Sequence, residues 1–135
     1  MRVLFVCVEN SCRSQMAEGF ARALDVDGLE AHSAGSRPSG IVNARAIRFM
    51  AELGIDISRQ ESKGLDDLPA GVVWDDVVTM GCGDACPHLP ARQRHDWDLP
   101  DPKDLDDDAF RAVRDRIGVL VRALAAAPRN SPAAG

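Results

Sequence analysis

The stretch Cys7-Val8-Glu9-Asn10-Ser11-Cys12-Arg13-Ser14 directly follows the apolar run Val3-Leu4-Phe5-Val6. The apolar run predicts a buried strand of a parallel sheet, and the residues from Ser14 to Leu24 have helical spacing. In the loop between them, backbone N–H groups and the helix N-terminus converge on a place that favours negative charge. That field favours the thiolate form of Cys7, which is the attacking form, and Arg13 adds planar donors that match a tetrahedral oxyanion. The sequence therefore predicts an oxyanion-binding loop with a nucleophilic cysteine at its floor.

Length and charge restrict the remaining possibilities. The chain has 135 residues, which suits one compact domain, and its net charge of −5 argues against a nucleic-acid partner. No apolar run approaches membrane-spanning length, and the N-terminus lacks a signal-peptide pattern. We therefore expect a cytoplasmic protein, with a single domain over residues 1–127 and a flexible tail at 128–135.

The rest of the chain alternates predicted strands and helices. Further strands are predicted at residues 29–33, 75–80 and 93–97, and further helices at residues 43–53 and after the acidic run at 106–108. This alternation is typical of a doubly wound α/β fold, in which ligands bind beyond the carboxyl ends of the strands. The loop after the first strand lies at that edge, and so does the loop at residues 81–90, which follows the third strand.

Four cysteines occur, at positions 7, 12, 82 and 86. In a cytosolic domain of this size, catalytic or metal-binding roles are more usual for cysteines than structural disulfides.

Several segments of the chain resemble one known family. They are CVENSCRSQMAE at 7–18, HSAG at 32–35, GIDIS at 54–58, VVTMGCGDAC at 77–86, WDLPDP at 97–102 and VRDRIG at 113–118. Together they resemble the thioredoxin-coupled arsenate reductases that share the fold of the low-molecular-weight tyrosine phosphatases. The resemblance covers nearly everything from Arg2 to about Leu124. Gln15 is similar to the reductases, since the phosphatases usually carry proline there.

The resemblance implies a four-stranded parallel sheet in the order 2-1-3-4, flanked by helices. It implies Cys7 as the nucleophile, Arg13 as the oxyanion clamp, and Asp101 as the acid that protonates the leaving oxygen. Asp101 also follows the fourth predicted strand, on the same edge as the cysteine loop. The predicted substrate-binding residues are Val8, Glu9, Asn10, Ser11, Cys12, Arg13 and Ser14.

The resemblance also implies a disulfide relay. Cys82 would attack the adduct on Cys7 and release arsenite, and Cys86 would then attack Cys82 and pass the disulfide to thioredoxin. No bound cofactor and no metal site are expected, and the protein is expected to be a monomer.

Some positions depart from the family pattern. The spacing from Cys82 to Cys86 is shorter than usual in the family, which limits how far Cys86 can retreat once it is oxidised. Glu9 replaces a glycine that is common in the loop, and its side chain is expected to point outward. Asn10, Glu18 and Ser33 match residues that hold potassium in some relatives, but Lys63 stands where the remaining acidic ligand would be, so no potassium requirement is expected.

Three alternatives remain open at this point. The first is a low-molecular-weight tyrosine phosphatase, although Lys103 stands where an aromatic residue would line the substrate slot and the chain has no tyrosine. The second is a zinc module, because Cys82, Cys86, His88 and His95 have a tolerable ligand spacing. The third is a non-catalytic thiol sensor, which would keep the cysteines and would not need Asp101.

Overall fold

The computed structural model describes residues 1–81 and 89–127. Within these residues the chain forms a four-stranded sheet flanked by helices. The strands are Arg2–Cys7 (β1), Glu30–Gly35 (β2), Trp74–Thr79 (β3) and Ala91–Asp96 (β4), and the helices are Arg13–Ala23 (α1), Ala44–Ala51 (α2) and Asp107–Ala126 (α3). Short 3-10 turns lie at Leu65–Asp67 and Pro102–Asp104.

All strand pairs are parallel and the order is β2-β1-β3-β4, as the resemblance predicted. The central strand β1 is apolar on successive residues because helices cover one face and a second apolar cluster covers the other. Its last residue, Cys7, pairs with Gly35 at the end of β2. Cys7 is thus fixed by the sheet itself, at the carboxyl edge where the following loop begins.

The strand β4 is polar, with the sequence ARQRHD, and most of its residues are exposed. It lies at the edge of the sheet, where its backbone pairs with one neighbouring strand and its side chains can remain polar and exposed. The structure starts this strand two residues earlier than predicted, because the alternating apolar signal that marks a strand is weak at an edge.

Helices α1 and α3 pack together over one face of the sheet. In α3 the buried apolar residues recur at helical spacing: Phe110, Val113, Ile117, Val121 and Leu124. Helices α2 and α3 each have a side-chain N-cap: Asn43 accepts from two backbone N–H groups at the start of α2, and Asp106 accepts from Ala109 N at 2.8 Å at the start of α3.

The described part of the chain contains no helix long and apolar enough to cross a membrane. The single domain over residues 1–127 stays a prediction, and the tail at 128–135 lies outside the described residues.

Candidate active site

The loop from Val8 to Cys12 follows β1. Its backbone carbonyl oxygens accept hydrogen bonds from N–H groups of neighbouring segments. Val8 O accepts from Arg37 N at 2.8 Å, and Ser11 O accepts from Asn43 N at 3.0 Å. With these carbonyls turned outward, the loop can present N–H groups to an anion on its inner side. Asn10 has a φ of 51°, which reverses the chain within the loop. Gly35 packs against this bend, and a side chain there would overlap the carbonyl oxygen of Val8.

The Cys7 thiol lies at the floor of the loop, with 3% of the residue exposed. Its Sγ is 2.8 Å from Ser14 Oγ. The Asn10 side-chain amide donates to the same Ser14 oxygen at 2.8 Å, which leaves the hydroxyl proton free to point at the sulfur. A hydroxyl donor at this position stabilises a thiolate on Cys7.

Asn10 is in turn held by a buried amide network. Its Oδ1 accepts from Gln15 Nε2 at 2.9 Å and from Lys63 N at 2.9 Å. Gln60 Nε2 donates to Gln15 Oε1 at 2.8 Å and to Gln15 O at 3.0 Å. The network fixes the left-handed residue of the loop, and through Ser14 it fixes the environment of the Cys7 sulfur.

The Arg13 guanidinium lies on the wall of the same site and is also buried. Its Nη1 donates to Leu99 O at 3.0 Å, and Nη2 is 3.9 Å from Asp101 Oδ2. Gly81 leaves room for this arrangement, because a side chain there would overlap Arg13 Nη1. Within residues 1–81 and 89–127, Arg13 Nε is buried and has no hydrogen-bond partner. A buried unpaired N–H is costly, and an oxyanion in the loop would satisfy it.

These groups surround one small cavity at the carboxyl edge of the sheet. Its lining consists of Cys7, Val8, Glu9, Ser11, Cys12, Arg13 and Asp101. A thiol, a guanidinium and a carboxyl group therefore face a common volume, which is the donor set that nucleophilic attack on a tetrahedral oxyanion requires.

Cys12 differs from Cys7 although both line the cavity. Burial raises the pKa of the Cys12 thiol to about 12. Cys12 is therefore a neutral, packed side chain at physiological pH, and it belongs to the main hydrophobic core.

The chain matches a known family over almost its whole length. A family profile described as "Low molecular weight phosphotyrosine protein phosphatase" matches residues 2–131. The chain belongs to the low molecular weight phosphotyrosine protein phosphatase family.

Three named relatives are similar to this chain over most of its length. The "Glutaredoxin arsenate reductase" of Synechocystis sp. is 41% identical, over 93% of this chain and 96% of that protein. A solved structure named "An arsenate reductase in the phosphate binding state" is 40% identical with a TM-score of 0.80, over 91% of this chain and 95% of the other. The "thioredoxin-dependent arsenate reductase" of Corynebacterium glutamicum is 31% identical with a TM-score of 0.72, over 91% of this chain and 59% of the other. The predicted family and fold are thereby confirmed.

Sequence reasoning placed Cys7, Arg13 and Asp101 at one site, and the structure brings these three together. Their catalytic roles stay predictions. The relay residues Cys82 and Cys86 lie outside the described residues, and so does His88 of the zinc alternative. The fourth member of that set, His95, contacts the buried Asp76 at 2.9 Å. No group of three metal-ligating side chains occurs among residues 1–81 and 89–127.

Several supporting residues were missed from the sequence. Gln60, the Leu99 carbonyl and Arg45 reach the site or its neighbouring loops from distant segments, and no local motif marks them. Glu9 was expected to point outward. The structure shows that its carboxylate reaches the rim of the cavity and pairs with Lys103 Nζ at 3.3 Å.

The cation that pairs with Glu18 is Arg22, whereas the sequence analysis considered Lys63. The buried Glu18 carboxylate accepts from Ser33 Oγ at 2.6 Å and from Arg22 Nε at 2.8 Å. Lys63 lines a cavity next to Glu18, but the guanidinium of Arg22 makes the ion pair. The absence of a potassium requirement stays a prediction, and Arg22 is its physical basis.

Proposed function

We propose that this chain is an arsenate reductase that converts arsenate to arsenite and is regenerated by thioredoxin. The observation that carries the proposal is the single cavity shared by Cys7, Arg13 and Asp101. Arsenate and phosphate have the same tetrahedral shape and charge, so a site of this kind accepts either. The names of the relatives favour reduction over simple ester hydrolysis.

The first step is attack by the Cys7 thiolate on arsenic. A sulfur–arsenic bond forms, one arsenic–oxygen bond breaks, and Asp101 donates a proton so that the oxygen leaves as water. Arg13 and the loop N–H groups stabilise the charge on the remaining oxygens. Arsenic is still pentavalent in this adduct.

The second step transfers two electrons to arsenic. The Cys82 thiolate attacks the Cys7 sulfur, a disulfide forms between them, and the electron pair of the sulfur–arsenic bond stays on arsenic, which leaves as arsenite. The Cys86 thiolate then attacks the Cys82 sulfur and releases Cys7 as a thiolate. Thioredoxin reduces the resulting Cys82–Cys86 disulfide by the same exchange chemistry.

The remaining proposals concern the oligomeric state, the compartment, the cofactor and the reductant. We propose a monomer in the cytoplasm with no bound cofactor, since the relay takes its electrons from an external dithiol. One relative is named for glutaredoxin and another for thioredoxin, so the choice of reductant is tested directly.

The test is arsenate-dependent NADPH oxidation by the reduced full chain. Thioredoxin with its reductase is compared with glutaredoxin, glutathione and glutathione reductase at equal NADPH. We expect turnover with thioredoxin, none for Cys7→Ser, and a single turnover for Cys86→Ser. Hydrolysis of an aryl phosphate without any arsenate-dependent NADPH oxidation would contradict the proposal and favour the phosphatase. Stoichiometric zinc that survives dialysis would favour the zinc module instead.

A further inference from the structure

Two acidic residues that line the cavity have side chains that reach solvent. The Glu9 and Asp101 side chains are 40% and 52% exposed. In contrast, Cys7, Cys12 and Arg13 are each less than a tenth exposed. We therefore place the mouth of the cavity between Glu9, which belongs to the cysteine loop, and Asp101, which belongs to the loop after β4.

Lys103 joins these two sides of the mouth. Its backbone N–H donates to Asp101 Oδ1 at 3.1 Å, and its ammonium lies 3.3 and 3.4 Å from the two Glu9 carboxylate oxygens. Lys103 thus links the loop after β4, which we call the acid loop, to the cysteine loop. We call the Glu9–Lys103 ion pair the strap.

Both ends of the strap rest on backbone that is held in place. Lys103 O accepts from Arg45 Nη1 at 3.2 Å, and Arg45 is itself fixed by Asp107 at 3.0 Å and by stacking on the Phe110 ring at 4.8 Å. At the other end, Glu9 O accepts from Ser39 N at 3.0 Å and from Ser62 Oγ at 3.1 Å. The ion pair is therefore formed between two positioned segments, although its own side chains are exposed.

The strap also neutralises the negative charge of Glu9 at the mouth. A carboxylate at position 9 repels an incoming oxyanion, and the chain as a whole carries a net charge of −5. The hydrogen bond and charge of Glu9 raise the pKa of Lys103, so its ammonium stays protonated at neutral pH. The two charges cancel locally, and the charged groups left at the cavity are the Arg13 guanidinium and the Asp101 carboxyl group 3.9 Å from it.

We propose that the Glu9–Lys103 strap determines substrate class: it favours a free inorganic oxyanion and excludes phosphate esters with an organic substituent. The proposal deepens the proposed function and rests on it for the identity of the site. An ester bound in the loop must extend its substituent out through the mouth, past the Lys103 side chain that contacts Glu9 and the Lys103 N–H that contacts Asp101. A free oxyanion has no substituent and fits behind the strap.

The test compares binding of inorganic phosphate and phenylphosphonate to the reduced full chain by titration calorimetry. We expect the wild type to bind phosphate at least about tenfold more tightly than phenylphosphonate. Lys103→Ala exposes the Glu9 carboxylate and should weaken phosphate binding about fivefold, the equivalent of about 1 kcal/mol. The double variant Glu9→Gln with Lys103→Ala should restore phosphate binding to within about twofold of wild type. In the double variant, phenylphosphonate should bind within about threefold of phosphate.

Arg2→Ala is the matched control, because it removes an equally exposed cation from the ion pair with Glu30 at the opposite end of β1. It should change neither affinity, and Lys103→Arg should retain the wild-type preference. An unchanged ratio of the two affinities in the double variant overturns the proposal, even if Lys103→Ala weakens phosphate binding. Binding is measured without arsenate turnover, so a chain that fails to reduce arsenate still reports on the strap.

Discussion

The cysteine loop and the acid loop face the same cavity but are held by different forces. Cys7, Asn10 and Arg13 are buried and fixed by hydrogen bonds among amides, a hydroxyl and backbone carbonyls. Asp101 and Lys103 are about half exposed and are held by ion pairs and one backbone N–H group. Exposed ion pairs are weak and sensitive to salt, whereas buried polar networks are costly to break. Cys7 is thus held by buried contacts, and the acid side of the site is held by exposed ones.

The largest expected loss of activity is at the exposed, acid side of the site. Asp101→Asn keeps the size of the side chain and its contact with Lys103 N, but it cannot donate a carboxyl proton to the leaving oxygen. We expect arsenate turnover to fall about 10²- to 10⁴-fold, the range typical of general acid catalysis, as measured by single-turnover arsenite formation. An unchanged rate would show that Asp101 is not the acid and would favour the thiol sensor.

The buried side should respond to a change of geometry even when charge is kept. Arg13→Lys retains a cation but loses the planar fork that contacts Leu99 O and carries the buried Nε. We expect kcat/KM for arsenate to fall about 10²- to 10³-fold, similar to the loss of one oxyanion-hole donor. Arg22→Lys is the control, since Arg22 pairs with Glu18 outside the cavity. Equal losses in the two variants would mean that the effect is on the fold.

The amide network should show its role in stability. Gln60→Ala leaves the side-chain oxygen of the buried Gln15 without its donor. We expect a loss of about 1–3 kcal/mol in the free energy of unfolding, measured by urea denaturation. Because the network supports Asn10, arsenate affinity should also decrease, and Gln60→Glu should not rescue it. A stability equal to that of wild type would show that water replaces Gln60 without cost.

The smallest expected effect is far from the cavity, at the ion pairs between α2 and α3. Hydrogen bonds from Arg111 and Arg114 lower the pKa of Glu52 to about 2. Because this pKa is depressed below the unfolded value of about 4.3, the stabilisation is present above that pH and is lost as pH falls toward 2. Glu52→Gln should reduce the dependence of unfolding on pH between these two values, followed by circular dichroism. An identical acid transition in both proteins would contradict this assignment.

Sequence alone predicted most of the fold and the chemical centre of the site. The Cys7–Arg13 loop is a local motif between an apolar run and a helix, so the residues themselves define it. The starts of the helices after residue 43 and after the acidic run at 106–108 were predictable because adjacent residues mark a helix start, and the structure shows Asn43 and Asp106 as their N-caps. Gln60 and Arg45 were not recognisable, because their contacts join segments that only the fold brings together. The Glu9–Lys103 pair was missed for the same reason, since 94 residues separate its members.

The central claim is that arsenic is reduced by electrons from Cys7 and Cys82. The most direct measurement is peptide mapping of the Cys86→Ser variant after reaction with arsenate in the absence of reductant. We expect one disulfide between Cys7 and Cys82 for each arsenite released. Arsenite release without that disulfide, or the disulfide without arsenite, would contradict it.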